Sequence, residues 1–221
     1  MLCFTRMRTS ELQNRFNNGE IIEFSKPTIV LASASPRRAR LLENTRLEFE
    51  IIVSTVDDTA LNNKFPHEGI DSGWAMEYAK KMALAKLKPF VGKIKNGAVI
   101  TADTIIWCDG RILEKPLTID KCREQHEFLS GKININYTAY AIYYNGKVLS
   151  SVMPTTVKVE NIPLEIIEVI CLEPEILDCA GYRNQGQINA YLNFNREEAD
   201  NLTGLYIPKV IEMLKKVRFI Q

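Results

Sequence analysis

With 221 residues, 46% hydrophobic and 25% charged, the chain has an ordinary globular composition and enough length for a substantial core, as one large α/β domain or two small lobes. A formal net charge of +1 gives no support to the broad basic surface that nucleic-acid binding generally needs, so any anion recognition must be local. No apolar run approaches the ~18 residues of a membrane span. Five scattered cysteines, Cys3, Cys108, Cys122, Cys171 and Cys179, make no C-x-x-C pair and point to free thiols in a reducing, cytoplasmic compartment.

Residues 1–27 read as an N-terminal extension to a domain spanning 28–221. They lack a secretory apolar segment, and Arg6, Arg8 and Arg15 with few acids suit either a mitochondrial presequence or a short helix over Ser10 to Phe16. Ile29-Val30-Leu31-Ala32 then reads as a buried strand. Ser35 fits a helix N-cap and Pro36 the first helical position, where a missing N–H costs nothing. Strand, hydroxyl-rich turn and helix start, with the forked donors of Arg37 and Arg38, describe a phosphate-binding corner.

Phe49 to Val53 is a second strand candidate, ending in Val56-Asp57-Asp58, and residues 60–72 read as a loop. A helix is expected from Gly73 to Lys88 with Trp74, Tyr78, Met82 and Ala85 as its apolar stripe. A third strand, Ala98 to Ala102, leads into Asp103-Thr104, and Ile105 to Trp107 continue to an Asp109-Gly110 turn. Ile119 to Leu129 suits a helix with Ile119, Cys122, His126 and Leu129 on one face. Period-2 alternation from Ile133 and a type I′ turn at Asn145-Gly146 predict a long antiparallel hairpin reaching Val159. Pro163 opens a helix to Cys171, and Tyr206 to Val217 forms the last one. The whole is a mixed α/β architecture around a curved sheet.

Familiar catalytic signatures are missing: there is no GxxxxGK[ST], no GxGxxG and no GxSxG. His67 and His126 are too few and too far apart for a histidine-based metal site and read as structural or surface residues. What remains is acidic and basic. Asp103, leaving a buried strand, is either a functional carboxylate or a turn cap. Asp57 and Asp58 are either a solvated turn or hard-cation ligands that approach Asp103. Lys115, just before Pro116, offers a point charge for phosphate.

These segments fall in a familiar order. LASASPRRARLLE resembles the signature of the Maf family of nucleotide pyrophosphatases. Ala102-Asp103-Thr104-Ile105-Ile106, Asp109-Gly110 and Glu114-Lys115-Pro116 are similar to its ADT(V/I)V…DG…(G/E)KP pattern. Val56-Asp57-Asp58 resembles its VDE element, Leu177 to Tyr182 with Gln185-Gly186 its DKAGAYGIQG segment, and Thr203-Gly204-Leu205 its GLP.

The resemblance implies a Maf-like, ITPase-like curved mixed sheet flanked by helices, with a central cleft. It implies hydrolysis of the α–β phosphoanhydride of a nucleoside triphosphate to NMP and pyrophosphate, closest to the branch acting on dTTP and UTP, in a cytoplasmic and commonly homodimeric enzyme. Asp103 falls on the proton acceptor. Arg37, Arg38 and Lys115 would stabilise phosphate charge, while Ser33, Ser35, Arg37, Thr104 and Gln185 would bind substrate. Asp58, Asp103 and Asp57 would hold Mg2+, Mn2+ or Co2+. The chain also departs from the pattern. Set against the family's LAxxKA helix, Tyr78-Ala79-Lys80-Lys81-Met82-Ala83 puts Met82 at the lysine, and Cys179 replaces the lysine of DKAG. Asp58 is one methylene shorter than the usual Glu, and the interval between Tyr182 and Gln185 is one residue short. These losses make a catalytically silent nucleotide-binding protein the main alternative; a phosphatase of small phosphate esters is a third reading.

Overall fold

The computed structural model describes residues 3–45, 47–57, 60–61 and 65–221, with backbone alone over 3–9. Asp58 lies outside them. The described residues build one seven-stranded mixed sheet in the order β2-β1-β3-β5-β6-β7, with β4 also on β3. Strands β1 (Ile22–Leu31), β2 (Phe49–Ile51) and β3 (Ile94–Cys108) are parallel to one another. Strands β4 (Arg111–Leu113), β5 (Ile133–Tyr144), β6 (Lys147–Val159) and β7 (Leu192–Asn193) complete it with antiparallel pairings. Both hairpin turns are of the type the sequence indicates. Asp109-Gly110 and Asn145-Gly146 take positive φ at both positions, 50° and 81° in the first and 46° and 76° in the second.

β3 differs from expectation. It does not end at Ala102 but runs unbroken through Asp103, because β5 pairs with it from Val99 to Trp107. What ends is the pairing on its other edge. There β1 stops opposite Ile100, and β4 begins opposite Ile106. Residues 101–105 of β3 therefore lie between two strands on one edge, and the turn after β1 enters helix α2 (Pro36–Glu43) beside that gap.

Alternation along β3 sends Thr101, Asp103 and Ile105 to one face and Ala102, Thr104 and Ile106 to the other. On the first face lies helix α3 (Ser72–Leu87), which buries Ala75, Tyr78, Ala79, Met82, Ala83 and Leu87. Thr101 Oγ1 donates to the Ala83 carbonyl at 2.8 Å, fixing that helix against the strand. Helix α1 (Cys3–Asn17) belongs to the same layer: Phe16 stacks on Phe90 with ring centroids 4.3 Å apart. Gln13 exchanges hydrogen bonds with the Val53 backbone, donating at 3.1 Å and accepting at 2.6 Å.

A second core forms between the far end of β6, helix α4 (Ile119–Leu129) and helix α5 (Leu164–Cys171). In α4 the expected face is present in Cys122, His126 and Leu129, while Ile119 stays exposed. The third core lies under α2 and the last helix, α7 (Ile207–Lys216), whose buried residues are Val210, Met213 and Leu214. A short helix, α6 (Ala199–Thr203), precedes α7. Its Asn201 is fully buried and fully engaged. Nδ2 donates to Thr155 Oγ1 (2.9 Å) and the Met153 carbonyl (3.1 Å), Oδ1 accepts from Tyr140 Oη, and its own carbonyl accepts from Thr138 Oγ1 (2.8 Å). This pins the chain before Gly204 onto the sheet.

Candidate active site

The gap in the β3 edge opens into a cleft of about 590 Å3. Ser33, Ser35, Arg37, Arg38, Asp103, Thr104, Lys115 and Gln185 all line it. The α2 corner forms as its residues dictate. Ser35 is the N-cap, its Oγ accepting from Arg38 N at 3.4 Å, Pro36 follows at the first position, and Ser35 N donates to Ser33 Oγ at 3.2 Å.

The two arginines do different things. Arg38 ties the corner to two other segments: Nε donates to the Gly204 carbonyl (2.9 Å), Nη1 to Ser33 Oγ (3.2 Å) and Nη2 to Thr104 Oγ1 (3.4 Å). Gly204 holds φ at 104°, and a β-carbon there would stand 3.1 Å from Arg38 Nε and 3.2 Å from Thr104 Oγ1. Only glycine fits both the backbone and the guanidinium. Arg37 instead donates through Nη1 to Cys179 Sγ, whose thiol in turn donates to the Glu175 carbonyl at 3.2 Å.

Asp103, 8% exposed, faces α3, and Lys86 Nζ meets its Oδ1 at 2.5 Å. Sequence reasoning set Met82 at the family lysine. The structure puts Met82 in the core, 2% exposed, and brings Lys86, one helical turn later, to the carboxylate. The readable signal was Lys86 itself. At i+3, i+4 and i+7 from Ala83, Met82 and Ala79, it is a cation on the buried face of α3. Met82-Ala83-Leu84-Ala85-Lys86 also carries the LAxxK spacing, four residues after the match that ends at Met82.

Asp57 is exposed, and its Oδ1 accepts from Ala60 N at 3.0 Å. The described cleft wall runs through Val56 but not Asp57. Two carboxylates not singled out from the sequence, Glu175 and Asp178, line the opposite wall. Gln185 is exposed, with Nε2 donating to Thr203 Oγ1 at 2.7 Å. Behind it, Asn136 Nδ2 donates to Asn134 Oδ1 (2.9 Å) and to Tyr182 Oη (2.8 Å), a buried polar floor.

The profile of the Maf-like protein family matches residues 28–217. The chain belongs to this family. A dTTP/UTP pyrophosphatase from Pyrococcus abyssi is 35% identical over 188 residues, 85% of this chain and 95% of the relative. Proteins of the same name from Bacillus mycoides and Syntrophus aciditrophicus are 33% and 30% identical, over 94% and 88% of their own lengths. As a Maf-like protein the chain places a lysine, Lys86, against Asp103 although Met82 stands at the position matched from the sequence.

Proposed function

We propose that this chain is a nucleoside triphosphate pyrophosphatase, converting a (d)NTP and water to NMP and pyrophosphate, with dTTP and UTP as preferred substrates. The observation that carries the reading is the meeting, in one cleft, of the Lys86-held Asp103 with the arginine-bearing start of α2. Water attacks the α-phosphorus, the bond to the β-phosphate oxygen breaks, and pyrophosphate leaves. Asp103 receives the water proton as general base, and Lys86 keeps its carboxylate oriented. Arg37, Lys115 and the positive end of the α2 dipole stabilise charge on the phosphates, while Arg38 holds that corner in place.

A divalent cation fits this donor set. Mg2+ or Mn2+ needs only one or two protein carboxylates when phosphates and water complete its shell, and Asp103 keeps Oδ2 beside the Oδ1 engaged by Lys86. Asp103, with Asp57 and Asp58 as further candidates, would hold an ion that neutralises phosphate charge. Gln185 Oε1 is an acceptor suited to the N3–H of uracil or thymine. A base without that donor leaves the acceptor unpaired and is disfavoured. Free cysteines suit a cytoplasmic setting.

A panel of dTTP, UTP, CTP, GTP, ATP and modified triphosphates with Mg2+, Mn2+ or Co2+, read separately for pyrophosphate and orthophosphate, tests the reading. Pyrophosphate from dTTP and UTP is the expected result. Orthophosphate alone assigns the chain to phosphate-ester hydrolysis. Nucleotide binding without turnover assigns it to the silent alternative, whose main motive, Met82 at the lysine position, Lys86 removes.

A further inference from the structure

Away from the cleft, three soft ligand atoms converge in the second core. Cys122 and His126 stand four residues apart on α4 and share a face, and Cys171 closes α5 opposite them. One ligand atom from each lies within 4.8 Å of the others, and all three residues are buried. Both cysteines are free thiols. Cys122 Sγ stands 3.5 Å from His126 Nδ1. That is the sulfur–nitrogen edge of a tetrahedral zinc site, where Zn–S of ~2.3 Å and Zn–N of ~2.0–2.1 Å span about 3.5 Å.

His126 supplies a second, independent observation. Its ring is 0% exposed; Nδ1 lies 2.8 Å from the Cys122 carbonyl, and Nε2 is buried with no partner among the described residues. A buried polar atom left unpaired costs ~1–3 kcal/mol. Glu173 Oε2 is likewise buried without a partner, and its carboxylate acts electrostatically on both His126 and Cys122. An ion on Nδ1 displaces the proton that donates to the Cys122 carbonyl and shifts it to Nε2, leaving a neutral ring.

We propose that Cys122, His126 and Cys171 form a structural site for one thiophilic closed-shell ion, Zn2+ or Cu+. Two thiolates and an imidazole select soft ions over the hard cations suited to carboxylates. Loading releases the two thiol protons and leaves the imidazole neutral. The ion staples α4 to α5, and the segment leaving α5 carries Glu175, Asp178 and Cys179 to the cleft wall. Occupancy therefore steadies that wall without entering the reaction.

The test uses the full chain, reduced and stripped with a chelator, then titrated with Co2+ as the zinc probe and separately with Cu+. One equivalent of either ion, bound with thiolate-to-metal charge-transfer absorption, is expected, together with a Zn2+- or Cu+-dependent rise in Tm. The band should survive in Cys179→Ala, which removes the only cysteine of the described cleft wall, and vanish in Cys122→Ala and Cys171→Ala, with folding checked by circular dichroism. X-ray absorption on the loaded wild-type chain should report two sulfurs and one nitrogen, a measurement that needs no variant to fold. An all-oxygen shell, a band that depends on Cys179, or no band with either ion overturns the proposal.

Discussion

Lys86 Nζ and Asp103 Oδ1 lie 2.5 Å apart, in an ion pair whose side chains are each 12% exposed. Neither charge has full access to water, so removing one leaves the other poorly solvated. Asp103→Asn should lower pyrophosphate release by about 10²–10⁴-fold while nucleotide still raises Tm, since the amide keeps the shape and loses the base. Lys86→Met should also depress turnover. In a stability cycle the two changes should couple by about 0.5–3 kcal/mol. Strict additivity in urea unfolding would show that the pair carries no energetic link.

Gly204 is predicted to tolerate no side chain. Gly204→Ala combines φ of 104° with a β-carbon 3.1 Å from Arg38 Nε, so it should cost about 1–3 kcal/mol in chemical unfolding. The same change should raise KM, because Arg38 can no longer hold Ser33 and Thr104 together. Wild-type stability in this variant would mean that the three-way tether is incidental.

The N-terminal helix should prove part of the core. Phe16 is 2% exposed and stacked on Phe90, so Phe16→Ala should destabilise the chain by about 3–5 kcal/mol. A change of less than about 1 kcal/mol would mark the helix as an appendage.

Glu212 gives a pH signature. Hydrogen bonds from Lys216 and then Lys209 hold its carboxyl at about 2, below the ordinary 4.5. A depressed carboxyl contributes stability above its unfolded value and loses it as pH falls from 4.5 towards 2. The wild-type minus Glu212→Gln difference in Tm should therefore be positive at neutral pH and shrink across that window. High salt should shrink it too, because the Glu212 side chain is 43% exposed and open to screening. A difference that grows on acidification would contradict the assignment.

Much of this was legible beforehand. The strand–turn–helix corner, both type I′ turns and the long hairpin follow from short-range chemistry, and the observed elements match them closely. The apolar stripe of α3 reads as Trp74, Tyr78, Met82 and Ala85; Tyr78 and Met82 are buried, but the rest of the buried set is Ala75, Ala79, Ala83 and Leu87. Close packing against β3 rewards small side chains, and hydrophobicity counts weigh alanine lightly. That shift hid Lys86, which lies on the packed side. Asn201 was invisible for another reason: its four partners come from β5 and β6, forty-five residues or more away in the chain. The cluster of Cys122, His126 and Cys171 likewise needs two helices brought together, so histidine counting alone passed over it.

Because β1 and β4 share one border of β3 and leave residues 101–105 between them, the width of the reaction chamber is decided by where two neighbours stop, not by the interior. Lengthening or trimming the β3–β4 hairpin would resize the chamber at a cost in packing, because Ile106, Cys108, Ile112 and Leu113 are all buried there. Architecture of this kind ties the size of what the chamber admits to the packing of one short strand.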